Sequence, residues 1–173
     1  SYEENDLRRT KYLIPERYAT NGEYVLQAFG KLEVGDENKL PLTGFRNARS
    51  FRLSEAYLNY AEANAMLYQK GDAAACTAAQ QALTDLRSKR MTTAGEATVD
   101  ISNAEELINF TREERRRELC FENHRWFDLR RYGMPEIKHT WHASPTDVKT
   151  YTLQAKDHAY TIPLPPSALE QHT

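Results

Sequence analysis

The chain has 173 residues, with 23 Lys plus Arg against 25 Asp plus Glu and a net charge of −2. That balance excludes a nucleic-acid partner, because phosphate binding draws on a basic excess, and a composition of 40% hydrophobic and 28% charged residues excludes a disordered or membrane-embedded chain. No apolar run approaches the ~20 residues that span a bilayer, and the polar opening Ser1–Asp6 carries no export signal, so any signal or lipid-anchor cysteine is expected upstream of this sequence.

Residues 1–48 read as a loop-rich lead-in, punctuated by Gly22, Gly30, Gly35, Pro41 and Gly44. A short helix is expected near Glu4–Tyr12, and a short strand or extended run over Tyr24–Phe29. Residues 49–90 read as a helical hairpin. Leu53, Ala56/Tyr57, Tyr60/Ala61, Asn64 and Leu67/Tyr68 recur at helical spacing and predict the face of a first helix. Gly71 ends that helix and Asp72 caps the next. The second helix carries Ala75/Cys76, Ala79, Ala82/Leu83 and Leu86 on one face, and such small side chains permit close approach of two helix axes. An aromatic-rich helix, a Gly-Asp turn and an Ala-rich helix together resemble one tetratricopeptide repeat. Cys76 and Cys120 match no zinc or redox spacing and read as two free, buried thiols.

Met91–Ile101 reads as a polar loop. Ser102 with Glu105, and Thr111 with Glu114, each form a capping box, so residues 102–133 are expected to hold a short helix, a break and a long helix that stops at Gly133 and Pro135. Residues 134–173 read as an irregular tail, with a short strand at Thr150–Leu153, an extended run over Tyr160–Pro166 and a final turn capped by Ser167.

The most specific stretch runs from Glu114 to Arg131. It carries Glu114-Arg115, Glu118-Leu119, Phe121-Glu122, Arg125-Trp126 and Asp128-Leu129. This pattern resembles the SusD-like (RagB/SusD) family, in its carboxy-terminal portion. Two more segments agree: Arg52-Leu53-Ser54-Glu55-Ala56-Tyr57-Leu58, followed by Tyr60-Ala61-Glu62-Ala63, and the closing Ile162-Pro163-Leu164-Pro165. The family often has Gly where Asn123 stands; Asn tolerates a left-handed backbone next best, so a break is expected near Asn123-His124. The resemblance implies a mainly α fold: SusD-like and helical, with a tetratricopeptide-like hairpin, long loops and few short strands. It implies non-catalytic capture of glycans or other nutrients, as in polysaccharide utilisation. It also implies a lipid anchor on the outer face of the outer membrane and a SusC-like TonB-dependent transporter as partner.

Arg115, Glu118, Glu122 and Arg125 stand at helical neighbour spacing and are expected to pair along one face. With Glu114, Trp126 and Asp128 they read as an architectural motif. Glu118 and Glu122 imitate a paired-carboxylate hydrolase site, but the arginines around them predict ion pairs. His139 and His142 lack the further ligands that a metal site needs, and no cofactor motif is present. Sugar rings present apolar C–H faces that stack on aromatic planes. Trp141, Tyr151 and Tyr160, outside the predicted helices, are therefore the ligand candidates. A rival reading is an intracellular tetratricopeptide-type adaptor, for which the helical hairpin speaks and the single repeat does not.

Overall fold

The structure, a computed structural model, describes residues 2–11, 18–21, 24–27, 52–142, 144 and 146–161. The expected turn at Asn21-Gly22 lies partly outside these residues. Of the extended run expected over Tyr160–Pro166, Tyr160 instead closes a 3-10 turn, His158–Tyr160, that the Asp157 side chain starts by accepting from the Ala159 N–H; Ile162–Pro166 and the Ser167 cap lie outside the described residues. The chain forms two compact units, one of residues 1–20 and 25–123, the other of residues 21–24 and 124–173. A first helical turn, α1 (Arg8–Lys11), is followed by two short strands, β1 (Tyr18–Asn21) and β2 (Tyr24–Gln27), that pair in a two-stranded sheet. Of this pair, only β2 was expected from the sequence. Among the described residues no helix is long and apolar enough to cross a membrane.

The first unit is built on α2 (Leu53–Gln69) and α3 (Ala73–Arg87). Their connection is the one expected. Gly71, at φ +105°, donates its N–H to the Tyr68 carbonyl, and the Asp72 N–H reaches the Leu67 carbonyl, a Schellman closure that glycine makes without a Cβ penalty. The Asp72 side chain then accepts from the Ala74 N–H at 3.1 Å and starts α3. Ala61 and Ala65 of α2 meet Ala79, Ala82, Leu83 and Leu86 of α3 in the core, where small residues let the axes close up.

The buried face of α2 differs from expectation. Ser54, Leu58, Ala61, Glu62 and Ala65 turn inward, while Leu53, Tyr60 and Leu67 are exposed and Tyr57 and Tyr68 pack at the margin. The Ala-rich surface of α3 and the arginines of the next long helix select the small and acidic side of α2 rather than its bulky aromatic side.

The segment expected as a polar loop contains a one-turn helix, α4 (Ala94–Ala97), capped by Thr93, and buries Met91, Ala97 and Val99. Residues 99–102 run along the first two long helices. The Val99 N–H donates to Thr84 Oγ1, Gln80 donates to the Ile101 carbonyl, and the Tyr68 hydroxyl donates to the Ser102 carbonyl at 2.6 Å. Ser102 is thereby held outside the helix, and Asn103 caps α5 (Ala104–Glu118) by accepting from the Glu106 N–H. Thr111 opens no second helix. It is buried inside a continuous α5, its hydroxyl donating to the Leu107 carbonyl at 2.7 Å, so its hydrogen bond is spent within the helix rather than at a cap.

After Glu118 the chain breaks where it was expected to. Asn123 is left-handed at φ 64°, and Phe121 joins it at φ 59°. In the second unit, α6 (Arg125–Arg131) ends at Tyr132 and Gly133. The tail expected to be irregular then forms an antiparallel hairpin, β3 (Ile137–His142) and β4 (Val148–Leu153), paired from Ile137↔Leu153 to His142↔Val148. Most of its side chains are exposed on both faces, so no buried stripe marked β3 in the sequence.

Candidate functional site

The motif helices assemble charge. Glu114, Glu118 and Arg115 of α5 are buried. The two glutamates receive arginines from other segments, beyond the helical neighbour spacing that the sequence offered. Arg8 Nη2 lies 2.7 Å from both Asp6 and Glu114, and Arg8 Nη1 lies 3.1 Å from Glu118. Arg87 bridges Glu114 and Glu3 at 3.1 Å each. Arg90 meets Glu118 at 2.8 Å, and Arg52 spans Glu118 and Glu122 at 3.2 and 2.9 Å. Arg115 donates to Asn59 Oδ1 at 2.8 Å and faces Glu55 at 3.6 Å. Because α5 ends at Glu118, Glu122 and Arg125 leave its face: Glu122 sits in the turn and Arg125 is exposed on α6.

These contacts fix the ionisation of Glu118. Burial by itself raises its carboxyl, but the Arg90 hydrogen bond and the charges of Arg90, Arg8 and Arg52 outweigh that and hold it at about 2. Arg8 is pushed further up: burial lowers it, and the bond to Asp6 with the charges of Glu114, Asp6 and Glu118 overcompensates. Tyr2 is raised by burial and by its contact with Cys120 Sγ at 3.0 Å, while its hydroxyl also reaches the Arg117 carbonyl at 2.7 Å. A carboxylate locked among three guanidinium groups takes up no proton at neutral pH. The Glu118–Glu122 pair is thus ion-paired, not poised for acid–base work.

The second unit places the three aromatic candidates differently. Tyr160 is fully buried, stacked on Trp126 with centroids 4.9 Å apart, and its hydroxyl donates to the Pro135 carbonyl at 2.6 Å. Its ring packs the unit and offers no face to solvent. Trp141 and Tyr151, by contrast, are 55% and 59% exposed. The register puts them on one face of the β3–β4 hairpin. His139 stands opposite Tyr151 and Trp141 opposite Lys149, so Trp141 and Tyr151 are diagonal neighbours. Ile137 and Leu153 close the base of that face. The other face carries Lys138, Thr140, His142, Val148, Thr150 and Thr152, with Thr140 and Thr150 hydroxyls 3.4 Å apart. His139 and His142 therefore lie on opposite faces, which separates the His-x-x-His pair. Asp128 of α6 is buried and pairs with Arg131 at 3.0 Å.

Sequence reasoning missed Arg8, Arg52, Arg87 and Arg90 as partners of the motif glutamates, and Lys149 as the neighbour of Trp141. For Lys149 a signal existed: Val148-Lys149-Thr150-Tyr151-Thr152-Leu153 alternates, and this places Lys149 and Tyr151 on one side. For Arg8 there was none, because the contact joins residues more than a hundred positions apart. A model described as the SusD family matches residues 3–170. Among curated proteins none matches the chain.

Proposed function

The chain belongs to the SusD family, whose members are non-catalytic binding proteins, and on that premise we propose that it captures glycans for a SusC-type TonB-dependent transporter at the outer face of the outer membrane. Family membership supports nutrient binding in partnership with such a transporter. The choice of glycan rests on one observation: Trp141 and Tyr151 are diagonal neighbours, both half exposed, on one face of the β3–β4 hairpin. What favours a binding role is that the two rings are neighbours on one face, since adjoining exposed apolar groups mark ligand sites where single ones do not. A sugar ring laid across them covers their faces with C–H groups. Lys149 and His139, on the same face, stand within reach of its hydroxyls.

The anchor and the surface location are tested in intact cells of the source. External protease should remove the protein, and with it transporter-dependent uptake of glycan, while periplasmic markers stay intact. Full protection from the protease would contradict surface capture and favour an intracellular role for the helical hairpin.

A further inference from the structure

We propose that the aromatic face of the β3–β4 hairpin selects sugars bearing a carboxylate, with Lys149 as the residue that reads the negative group. The inference rests on the glycan-platform reading above.

The face comprises Ile137, His139 and Trp141 from one strand and Lys149, Tyr151 and Leu153 from the other, and it contains no acidic side chain. Lys149 stands directly across from Trp141, so its ammonium lies beside the edge of any ring stacked on the indole. A hexuronate carries its carboxylate equatorially on the ring edge. A stacked uronate therefore directs the group sideways, toward Lys149, rather than into the indole face.

Among the described residues Lys149 pairs with Asp147, at 3.8 Å, with the two side chains 60% and 51% exposed. An ion pair that long and that wet contributes little, and a ligand carboxylate can displace it. The backbone of Asp147 is fixed in the turn, its N–H donating to Ser144 Oγ at 3.0 Å. Lys138, the other lysine of the strands, projects from the opposite face and sits 3.1 Å from Glu136, so it does not compete for the same ligand. Within residues 137–153 the only acid is Asp147, against two lysines and two histidines. The charge of the hairpin thus complements an anion, while its rings complement a pyranose.

The test is calorimetric titration of the whole chain with uronic-acid oligosaccharides, each beside its carboxyl-reduced twin: a galacturonate trimer, a mannuronate trimer and a glucuronate-containing disaccharide. At least one acidic sugar should bind about three- to five-fold more tightly than its neutral twin, the size of an exposed ion pair. The gap should shrink when salt is raised from about 50 to about 500 mM, and Lys149→Gln should bring the ratio close to one. Equal binding of every acidic sugar and its twin, or a ratio that survives in Lys149→Gln, overturns the inference and leaves the platform standing. If no sugar of the panel, acidic or reduced, binds in a way that Trp141→Ala abolishes, the platform reading falls together with the inference.

Discussion

Glu118 sits 2.8 to 3.2 Å from three guanidinium groups, those of Arg90, Arg8 and Arg52, with almost none of its side chain in water. Its carboxyl is held at about 2 in the folded chain against 4.5 for the free group. A depressed folded value means that the unfolded chain binds the proton more readily. The stabilisation is therefore present in full above about pH 4.5 and is lost as pH falls toward 2. Linkage puts it at roughly 3 kcal/mol. Acid titration of unfolding should show that loss, and Glu118→Gln should flatten the pH dependence while lowering stability at neutral pH. Arg8 is the complementary case. Removing it leaves Asp6 and parts of Glu114 and Glu118 buried without their counter-charge, so Arg8→Ala should cost about 3–5 kcal/mol in denaturant unfolding. A loss under about 1 kcal/mol would mean that water or other arginines reach the site. None of this was legible in the sequence beyond the glutamates themselves, since ion pairs over long separations leave no local spacing to read.

Between α5 and α6 the backbone turns on two left-handed residues, Phe121 and Asn123. Asn tolerates that conformation better than any other residue with a Cβ apart from Asp. Asn123→Gly should therefore hold or slightly raise stability, whereas Asn123→Ala should lose about 1 kcal/mol; equal thermal midpoints for the two variants would contradict a backbone cause. This break was legible because one residue type at one position carried it. The α2–α3 connection was legible for the same reason, through Gly71 and Asp72. The inward face of α2 was not. Its sequence offers two apolar sides, Leu58-Ala61-Ala65 and Leu53-Tyr60-Leu67, and which of them faces the core depends on the alanines of α3, a tertiary choice that outweighs side-chain size. Nor was β3: alternation betrays a strand when one face is buried, and here both faces meet water.

Across the whole chain two kinds of residue divide the work. The family's motif residues in the first unit, Glu114, Arg115, Glu118 and Glu122, are engaged in ion pairs with residues of other segments. In the second unit the motif's Trp126 and Asp128 are likewise engaged, with Tyr160 and Arg131. Under the proposed function, the residues that meet a ligand lie in a hairpin outside the motif. A family pattern therefore identifies what kind of protein this is more readily than what it binds. The direct measurement is a titration of glycans against the chain and against its Trp141→Ala/Tyr151→Ala variant, with the thermal midpoints of both recorded. Both side chains are more than half exposed, so the account predicts an unchanged midpoint and a loss of about 1–3 kcal/mol in binding per ring removed, the scale of a ring–ligand stack. Unaltered glycan affinity in the double variant, at an unchanged midpoint, would contradict it and move the site away from the hairpin.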